Sequence, residues 1–171
     1  SLHRPTKGII KSATISVTPT GKYFVSILCD TKEEIPTKAP IKENTTIGVD
    51  LGIKDFVITS DGEVFENPKY LRKAQSKLKY VQRKYSKYKG KHTKKKLAKL
   101  HENIVNKRKD FLHKLSTKLI RENQTICLET LSVKNMVKNH NLAQAISDVS
   151  WSTFVTMLEY KADWYGKNIL R

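Results

Sequence analysis

Residues 47–56 read IGVDLGIKDF, an apolar run that is interrupted by a carboxylate and then by a glycine. An apolar run of this length is typical of a buried strand, and Asp50 falls at its end. A second apolar run, residues 125–129 (TICLE), ends in the same way at Glu129. If the two strands are parallel neighbours, both carboxylates emerge at the carboxyl end of one sheet, where α/β proteins build their sites.

Two neighbouring carboxylates repel each other unless a cation lies between them, and ligand sets made only of oxygen suit Mg²⁺ or Mn²⁺. A pair of such ions would activate water and stabilise the leaving oxygen in phosphodiester cleavage. We therefore predict that Asp50 and Glu129 are catalytic and bind metal. Gly48 and Gly52 flank Asp50 and would let a metal or a nucleic-acid backbone come close. The alternative is that Asp50 is a turn residue and Glu129 a surface acid.

The charge of the chain is strongly uneven. The 171 residues hold 33 basic and 16 acidic side chains, a net charge of +17. Residues 69–122 contain 20 of the basic residues and only three of the acidic ones, whereas the rest of the chain is balanced. An excess of this size favours a polyanionic partner, most simply nucleic acid.

The basic segment, residues 68–122, has the apolar spacing of two helices that meet near Gly90. Asn67 is the expected cap of the first helix, with Pro68 at its first position, and Thr93 the cap of the second. We predict an antiparallel helical hairpin whose lysine and arginine side chains contact phosphates without recognising a nucleotide sequence. The alternative is that these side chains form a solvated charged face with no ligand. The predicted nucleic-acid-binding residues are Lys73, Lys77, Arg83, Lys84, Lys87, Lys94, Lys95, Lys96, Lys99, Lys107 and Arg108 in the hairpin, with Lys134 and Asn135 after Glu129.

Strand-like patterns surround the hairpin. Residues 12–18 and 22–29 alternate about the turn Pro19-Thr20-Gly21 and predict a β-hairpin. A helical pattern runs from Trp151 to Gly166, and residues 168–171 (NILR) resemble the start of a strand. The order of elements predicts an α/β fold with a mixed sheet. The predicted strands of that sheet are residues 46–50, 55–59, 63–66 and 125–129. The expected domains are residues 1–30, a linker at 31–44, and residues 45–171 with the hairpin inserted.

Several classes of protein are disfavoured by the sequence. Cys29 and Cys127 form no CxxC pair, which argues against a zinc knuckle and fits a reducing compartment. No apolar run approaches the roughly 18 residues that a membrane span needs. The first ten residues lack the apolar core of a signal peptide, so a cytoplasmic protein is expected.

Three separated segments resemble one known family. IGVDLGIKDFVITSDGEVFENPKYLRK, ICLETLSVKNMVKN and ISDVSWSTFVTMLEYKADWYG are similar, in this order, to the TnpB/OrfB group of transposon-encoded proteins. These are RuvC-like, RNA-guided DNA endonucleases related to type V CRISPR effectors. The resemblance covers about residues 8–171. It implies an RNase H-like fold, with Asp50 as the first catalytic carboxylate and Glu129 as the second.

The resemblance also implies partners and surroundings. Residues 1–30 would be the last strands of an oligonucleotide-binding wedge barrel, and the hairpin would line the path of a guide–target duplex. The implied cofactor is Mg²⁺ or Mn²⁺, and the implied partners are DNA and a guide RNA, with no membrane and no small-molecule substrate. The implied location is the prokaryotic cytoplasm, at the nucleoid when DNA is bound.

The sequence departs from the family pattern after Arg171. Members continue into a zinc ribbon with two CxxC pairs and then a third catalytic aspartate, so Zn²⁺ is expected only in that missing part. With two of three carboxylates, this polypeptide is expected to bind metal weakly and not to cleave by itself. Asp55, Asp148 and Asp163 are weaker candidates for the site. The five histidines have no metal-ligand spacing, and Trp151 and Trp164 could pack in the core or stack on bases.

Two other functions stay open. The chain could be a nucleic-acid-binding protein without catalysis, derived from the same family. It could also be a sugar-kinase-like or actin-like ATPase, because residues 48–55 (GVDLGIKD) resemble the first phosphate loop of that superfamily. The second phosphate loop and the glycine-rich adenosine motif that such an ATPase needs are not found in the sequence.

Overall fold

The structure is a computed structural model that describes residues 5–130 and 150–171. Strands and helices follow the predicted order, with a short 3₁₀ turn at Glu43–Thr45. None of the helices in the described ranges is long and apolar enough to cross a membrane. The strands are β1 (Ile9–Val17), β2 (Tyr23–Asp30), β3 (Thr46–Leu51), β4 (Asp55–Thr59), β5 (Val64–Glu66), β6 (Thr125–Leu128) and β7 (Asn168–Leu170), and the helices are α1 (Tyr70–Tyr88), α2 (Lys91–Glu122) and α3 (Trp151–Tyr165).

The chain divides into two compact units. The first, the ribbon unit, combines Ser1–Glu34 with Lys77–Asn103, and the second, the sheet unit, combines Ile35–Ser76 with Ile104–Arg171. The long helices α1 and α2 therefore contribute to both units. The three-part domain division that we expect from the sequence stays a prediction.

The ribbon unit contains β1 and β2 paired antiparallel, with Ile9 opposite Asp30 and Val17 opposite Tyr23. Gly21 adopts a positive φ of 85° in the connecting turn, as the sequence pattern indicates. The hydroxyl group of Thr20 donates a hydrogen bond of 3.0 Å to the carboxylate of Glu102 in α2. Lys22 Nζ lies 3.2 Å from the second carboxylate oxygen of Glu102. Glu102 thereby fastens the turn of the ribbon to α2.

The helical hairpin has the predicted halves, but its caps differ from the prediction. The backbone N–H of Lys94 donates to the carbonyl of Gly90, so Gly90 precedes the first turn of α2 and Thr93 lies inside it. Helix α1 begins at Tyr70 rather than at Pro68. Asn67 still accepts a backbone hydrogen bond before the helix, because its side-chain oxygen lies 2.9 Å from the N–H of Lys69. Its amide group also donates 2.8 Å to the carbonyl of Ile53.

The sheet unit contains a five-stranded mixed sheet in the order β5-β4-β3-β6-β7. Strands β3, β4 and β5 are antiparallel neighbours, whereas β6 runs parallel to β3 and β7 runs parallel to β6. The parallel pairing requires a long crossover between β3 and β6, and the chain between them includes α1 and α2. The predicted α/β class with a mixed sheet is confirmed.

The core of this unit packs against the sheet. Residues of β3, β4 and β6 are buried together with residues of the second half of α2 and of α3, and in β4 the adjacent Phe56 and Val57 are both buried. Phe56 lies at the centre, where its ring makes edge-to-face contacts with Phe111 and Phe154 at 5.2 and 5.0 Å between centroids. The buried core residues are Ile47, Val49, Leu51, Phe56, Val57, Leu112, Leu115, Leu119, Ile120, Ile126, Leu128, Trp151, Phe154, Met157, Leu158 and Ala162.

A buried lysine links α3 to α2. Lys161 is 6% exposed, and its ammonium group donates to the hydroxyls of Ser116 and Thr117 at 2.7 and 2.8 Å. A third hydrogen bond of 3.0 Å reaches the carbonyl of His113. Burial lowers the pKa of Lys161 below its ordinary value of 10.5. Three oxygen acceptors therefore satisfy this side chain without a carboxylate.

Replacing Lys161 with Met should lower the free energy of unfolding by about 1–3 kcal/mol, because buried oxygens lose their donor. Lys114→Met is the matched control, since Lys114 is exposed and pairs only with Asp110 on the surface; we expect it to cost less than about 1 kcal/mol. Urea denaturation of the chain measures both. Equal losses would contradict the anchoring role of Lys161.

The same two variants test a pH dependence. Because the pKa of Lys161 is lowered in the folded state, the unfolded chain binds this proton more tightly. The stability of the wild type relative to Lys161→Met should therefore rise as the pH increases from the lowered pKa towards 10.5. A difference between the two proteins that falls over this range would be the wrong sign.

Candidate active site and nucleic-acid interface

The two predicted carboxylates occupy matching positions on neighbouring strands. In the parallel pair of β3 and β6, Gly48 lies beside Cys127 and Val49 lies beside Leu128. The next residues in the chain are Asp50, which is still in β3, and Glu129, which directly follows β6, and both are exposed. Since adjacent strands are about 4.8 Å apart, two carboxylates at this step can approach one ion.

Burial identifies the face on which Asp50 lies. Val49 and Leu128 are buried in the core, and successive residues of a strand point to opposite faces. Asp50 therefore belongs to the opposite face, together with its antiparallel neighbour Ile58, which is 39% exposed. Glu129 is the exposed residue directly after buried Leu128, at which β6 ends, so continued strand alternation would assign it to the same face as Asp50. The site roles of Asp50 and Glu129 stay predictions.

The glycines on either side of Asp50 have different physical roles. A Cβ atom at Gly52 would lie 2.5 Å from the backbone carbonyl oxygen of Asp55, so the turn from β3 to β4 requires glycine for steric reasons. A Cβ atom at Gly48 would lie 3.4 Å from Cβ of Ser60, an ordinary contact. Gly48 also exchanges hydrogen bonds with Ser60, donating 3.0 Å to its hydroxyl and accepting 2.9 Å from its backbone N–H. Close approach of a ligand explains Gly48 better than Gly52.

The weaker acidic candidates occupy different parts of the structure. Asp163 lies on α3 and forms an ion pair of 2.9 Å with Lys38. Asp55 begins β4 and pairs with Glu66, whereas Asp148 lies outside the described residues. Within residues 5–130 and 150–171, no group of three or more His, Cys, Asp or Glu side chains could hold a metal ion. Asp55 lies at the same end of the sheet as Asp50, because β4 runs antiparallel to β3 and begins where β3 ends.

The aromatic and histidine candidates have plain positions. Trp151 is buried in the core, as its helical spacing predicts, whereas Trp164 is 66% exposed and contacts the ring of Tyr160. The histidines of the hairpin (His92, His101 and His113) are exposed.

The basic residues predicted for nucleic-acid contact are on the surface of α1 and α2. Ten of the eleven in the hairpin are exposed, and Arg108 is half-buried. Among the described residues, none of those ten forms an ion pair with an acid. Their charges are therefore available to an external anion. Lys134 and Asn135 lie outside the described residues.

The part of the hairpin in the ribbon unit, residues 77–103, is the most basic. It holds eleven basic residues and one acid, Glu102. That acid is already engaged by Thr20 and Lys22. The contacts of Glu102 and of Lys161 were not predicted from the sequence. For Glu102 a signal exists, because one acid in a long basic run suggests a specific structural partner.

The chain is similar to several known proteins. A family model, OrfB_IS605, described as "Probable transposase", matches residues 26–140. A protein of Streptomyces pristinaespiralis with the name "Putative RNA-guided DNA endonuclease" is 44% identical over 164 residues, which are 93% of this chain and 40% of that protein. The "Putative RNA-guided DNA endonuclease InsQ" of Escherichia coli (strain K12) is 31% identical, covering 98% of this chain and 46% of that protein. The chain thus spans less than half the length of these relatives.

A solved structure has a similar fold. One chain of the "Cryo-EM structure of CRISPR-Cas12f Ternary Complex" aligns with a TM-score of 0.52 and 15% identity, over 86% of this chain and 31% of that chain. At this identity the likeness concerns the fold alone. It agrees with a RuvC-like arrangement of the mixed sheet.

Alanine substitutions at Gly52 and Gly48 should differ in their effect on the free energy of unfolding. Gly52→Ala should lower the free energy of unfolding by about 1–3 kcal/mol, because the new methyl group meets a backbone carbonyl that cannot move aside easily. Gly48→Ala should change it by less than about 1 kcal/mol, because the space is sufficient and alanine costs less entropy than glycine in a strand. Thermal or urea unfolding followed by circular dichroism measures both, and similar losses would contradict the assignment.

Proposed function

The chain belongs to the OrfB_IS605 family of transposases, and on that premise we propose that it forms the core of a transposon-associated, RNA-guided DNA endonuclease. The observation that carries the proposal is the parallel pairing of Val49 in β3 with Leu128 in β6, because Asp50 and Glu129 directly follow these two residues. The names of the relatives from Streptomyces pristinaespiralis and Escherichia coli support the same activity.

The donor chemistry of the sheet edge fits a hard divalent cation. Asp50 and Glu129 offer carboxylate oxygens that are exposed to solvent, and Gly48 adds no side chain to the same face. Oxygen ligands of this kind suit Mg²⁺ or Mn²⁺. We propose that Asp50 and Glu129 hold the ions of a two-metal site. When bound, such ions supply an activated water and stabilise the leaving oxygen of a phosphodiester.

The contribution of the protein is to position groups. The hydrogen bonds of β3 to both β4 and β6 fix the backbone of Asp50, so its carboxylate meets an ion without reordering the chain. Gly52 permits the tight turn that follows. Because two carboxylates offer fewer ligands than three, we expect residues 1–171 alone to bind the ion weakly and not to cleave DNA efficiently.

The basic helices supply affinity for the polyanion. Exposed lysines on α1 and α2 that have no acidic partner can neutralise phosphates and release counterions. Such contacts hold the backbone of a nucleic acid but do not distinguish bases. Choice of sequence would therefore come from pairing between a guide RNA and the DNA target, as in other RNA-guided enzymes.

Removing either carboxylate should weaken metal binding. We expect Asp50→Asn and Glu129→Gln each to lower the Mn²⁺ or Mg²⁺ affinity at least about ten-fold, since losing even an outer-sphere partner of a metal ligand has that effect. Calorimetric titration of the chain with each ion measures the change. Asp163→Asn is the control. Asp163 lies on α3 and forms an ion pair with Lys38, so this substitution should leave the metal affinity unchanged. Unaltered metal affinity in the Asp50 and Glu129 variants would dismiss the site, whereas retained nucleic-acid binding is expected in all three.

Neutralising lysines of the hairpin should weaken binding in a way that depends on salt. We expect the triple variant Lys94→Gln, Lys95→Gln, Lys96→Gln to bind duplex DNA less tightly, with the slope of log K against log salt reduced by up to about 0.9 per lost phosphate contact. Fluorescence anisotropy at several salt concentrations measures this slope.

The control for net charge is a triple variant outside the hairpin. Glutamine at Lys7, Lys32 and Lys42, all exposed, removes the same three charges. If the hairpin is the binding surface, this control changes the slope much less. Equal slopes for the two triple variants would show that overall charge, and not the hairpin, controls binding.

A further inference from the structure

Two tyrosines stand out on the basic surface of α1. Tyr80 and Tyr88 are 64% and 63% exposed, whereas Tyr85 of the same helix is half-buried beside the buried Leu78 and Val81. Every other exposed side chain between residues 77 and 88 is basic or a neutral polar group. The packing of α1 therefore uses Tyr85 and leaves the rings of Tyr80 and Tyr88 in solvent.

The spacing of the two rings is regular. Tyr80, Lys84 and Tyr88 follow one another at intervals of four, so they form one row along the helix surface. Eight residues of α-helix separate the rings by about 12 Å along the axis. Lys84 is exposed between them, and Lys87 Nζ lies 5.2 Å from the centroid of the Tyr88 ring. Aromatic faces and ammonium groups thus alternate within one short stretch of surface.

This alternation matches the chemistry of one kind of ligand. An unpaired nucleic-acid strand offers base faces and phosphates in alternation, and proteins bind such strands with aromatic platforms beside basic groups. In a duplex the base faces are stacked inside and cannot reach a surface ring. Phosphate contacts alone would need no tyrosine.

We propose that Tyr80 and Tyr88 form a stacking platform for an unpaired stretch of nucleic acid. The phosphates of this strand are held by Lys84 and by the neighbouring basic side chains of α1. This inference rests on the proposed nucleic-acid-binding function and specifies the form of ligand that this part of the hairpin takes. Residues 77–103 contain eleven basic residues and one acidic residue, so their positive net charge is complementary to such a strand. The ribbon unit carries this platform entirely within its own residues.

The test compares a short single-stranded oligonucleotide with the duplex of the same sequence, using fluorescence anisotropy. For the double variant Tyr80→Ala, Tyr88→Ala we expect about five-fold or more weaker binding of the single strand, the loss typical of one stacked base. Binding of the duplex should change by less than about two-fold, because its phosphate contacts are intact. Both residues are exposed, so folding should be preserved, and circular dichroism checks this.

A conservative variant separates stacking from other effects. Tyr80→Phe, Tyr88→Phe keeps both rings and should bind the single strand like the wild type. A 2-aminopurine base in the single strand reports stacking directly, because its fluorescence is quenched when it stacks. We expect quenching with the wild type and the phenylalanine variant, and little with the alanine variant.

The outcomes distinguish this inference from the function on which it rests. If the alanine variant binds the single strand like the wild type while the Lys94, Lys95 and Lys96 variant binds weakly, the platform is wrong and the proposed function stands. Equal weakening on single strand and duplex would also overturn the platform, because unpaired bases would not be needed. If the wild type binds neither form, the proposed function itself fails.

Discussion

The parallel pairing of β3 with β6 is the constraint on which the rest of the molecule depends. Ile47 and Val49 lie beside Ile126 and Leu128, and all four are buried on the same face of the sheet. A slip of β6 by one residue would turn Ile126 and Leu128 away from the core, which would cost several kcal/mol of apolar burial. Hydrophobic packing on one face thus determines where the acids emerge on the other. The positions of Asp50 and Glu129 along the chain therefore follow from the packing of the core and do not depend on a direct interaction between the two carboxylates.

The helical hairpin combines core residues with a basic surface. Its inner residues, such as Leu112, Leu119 and Ile120, belong to the core of the sheet unit, whereas most of its outer residues are exposed and basic. A helix with so many like charges is weakened by repulsion, and the apolar stripe offsets that cost. The acidic residues at the sheet edge and the basic residues on the helices therefore lie on different elements of the fold.

The features that sequence predicts well here are those decided locally. Alternation about a tight turn located β1 and β2, and short apolar runs located β3 and β6. Gly166 was correctly predicted to end α3, which it does with a positive φ of 62°. The helix starts of the hairpin were predicted a few residues away from their positions, since Thr93 lies inside α2 and α1 begins at Tyr70 rather than at Pro68. The role of Lys161 could not be predicted, because only the packing of α3 on α2 brings its ammonium group to three acceptors that are already neighbours on α2. The matched step of Asp50 and Glu129 was expected from the strand ends, but its register required the paired backbones.

Glu102 sets a ceiling on how basic the hairpin can become. Its carboxylate receives the hydroxyl of Thr20, which is only 7% exposed, and faces the ammonium group of Lys22. A lysine at this position would attract a polyanion more strongly, yet it would also oppose Lys22 and leave the nearly buried hydroxyl of Thr20 without its acceptor. Selection for tighter association and selection for an ordered β-turn thus act in opposite directions on a single side chain. Evolution towards higher charge density in this segment would have to proceed through its other positions.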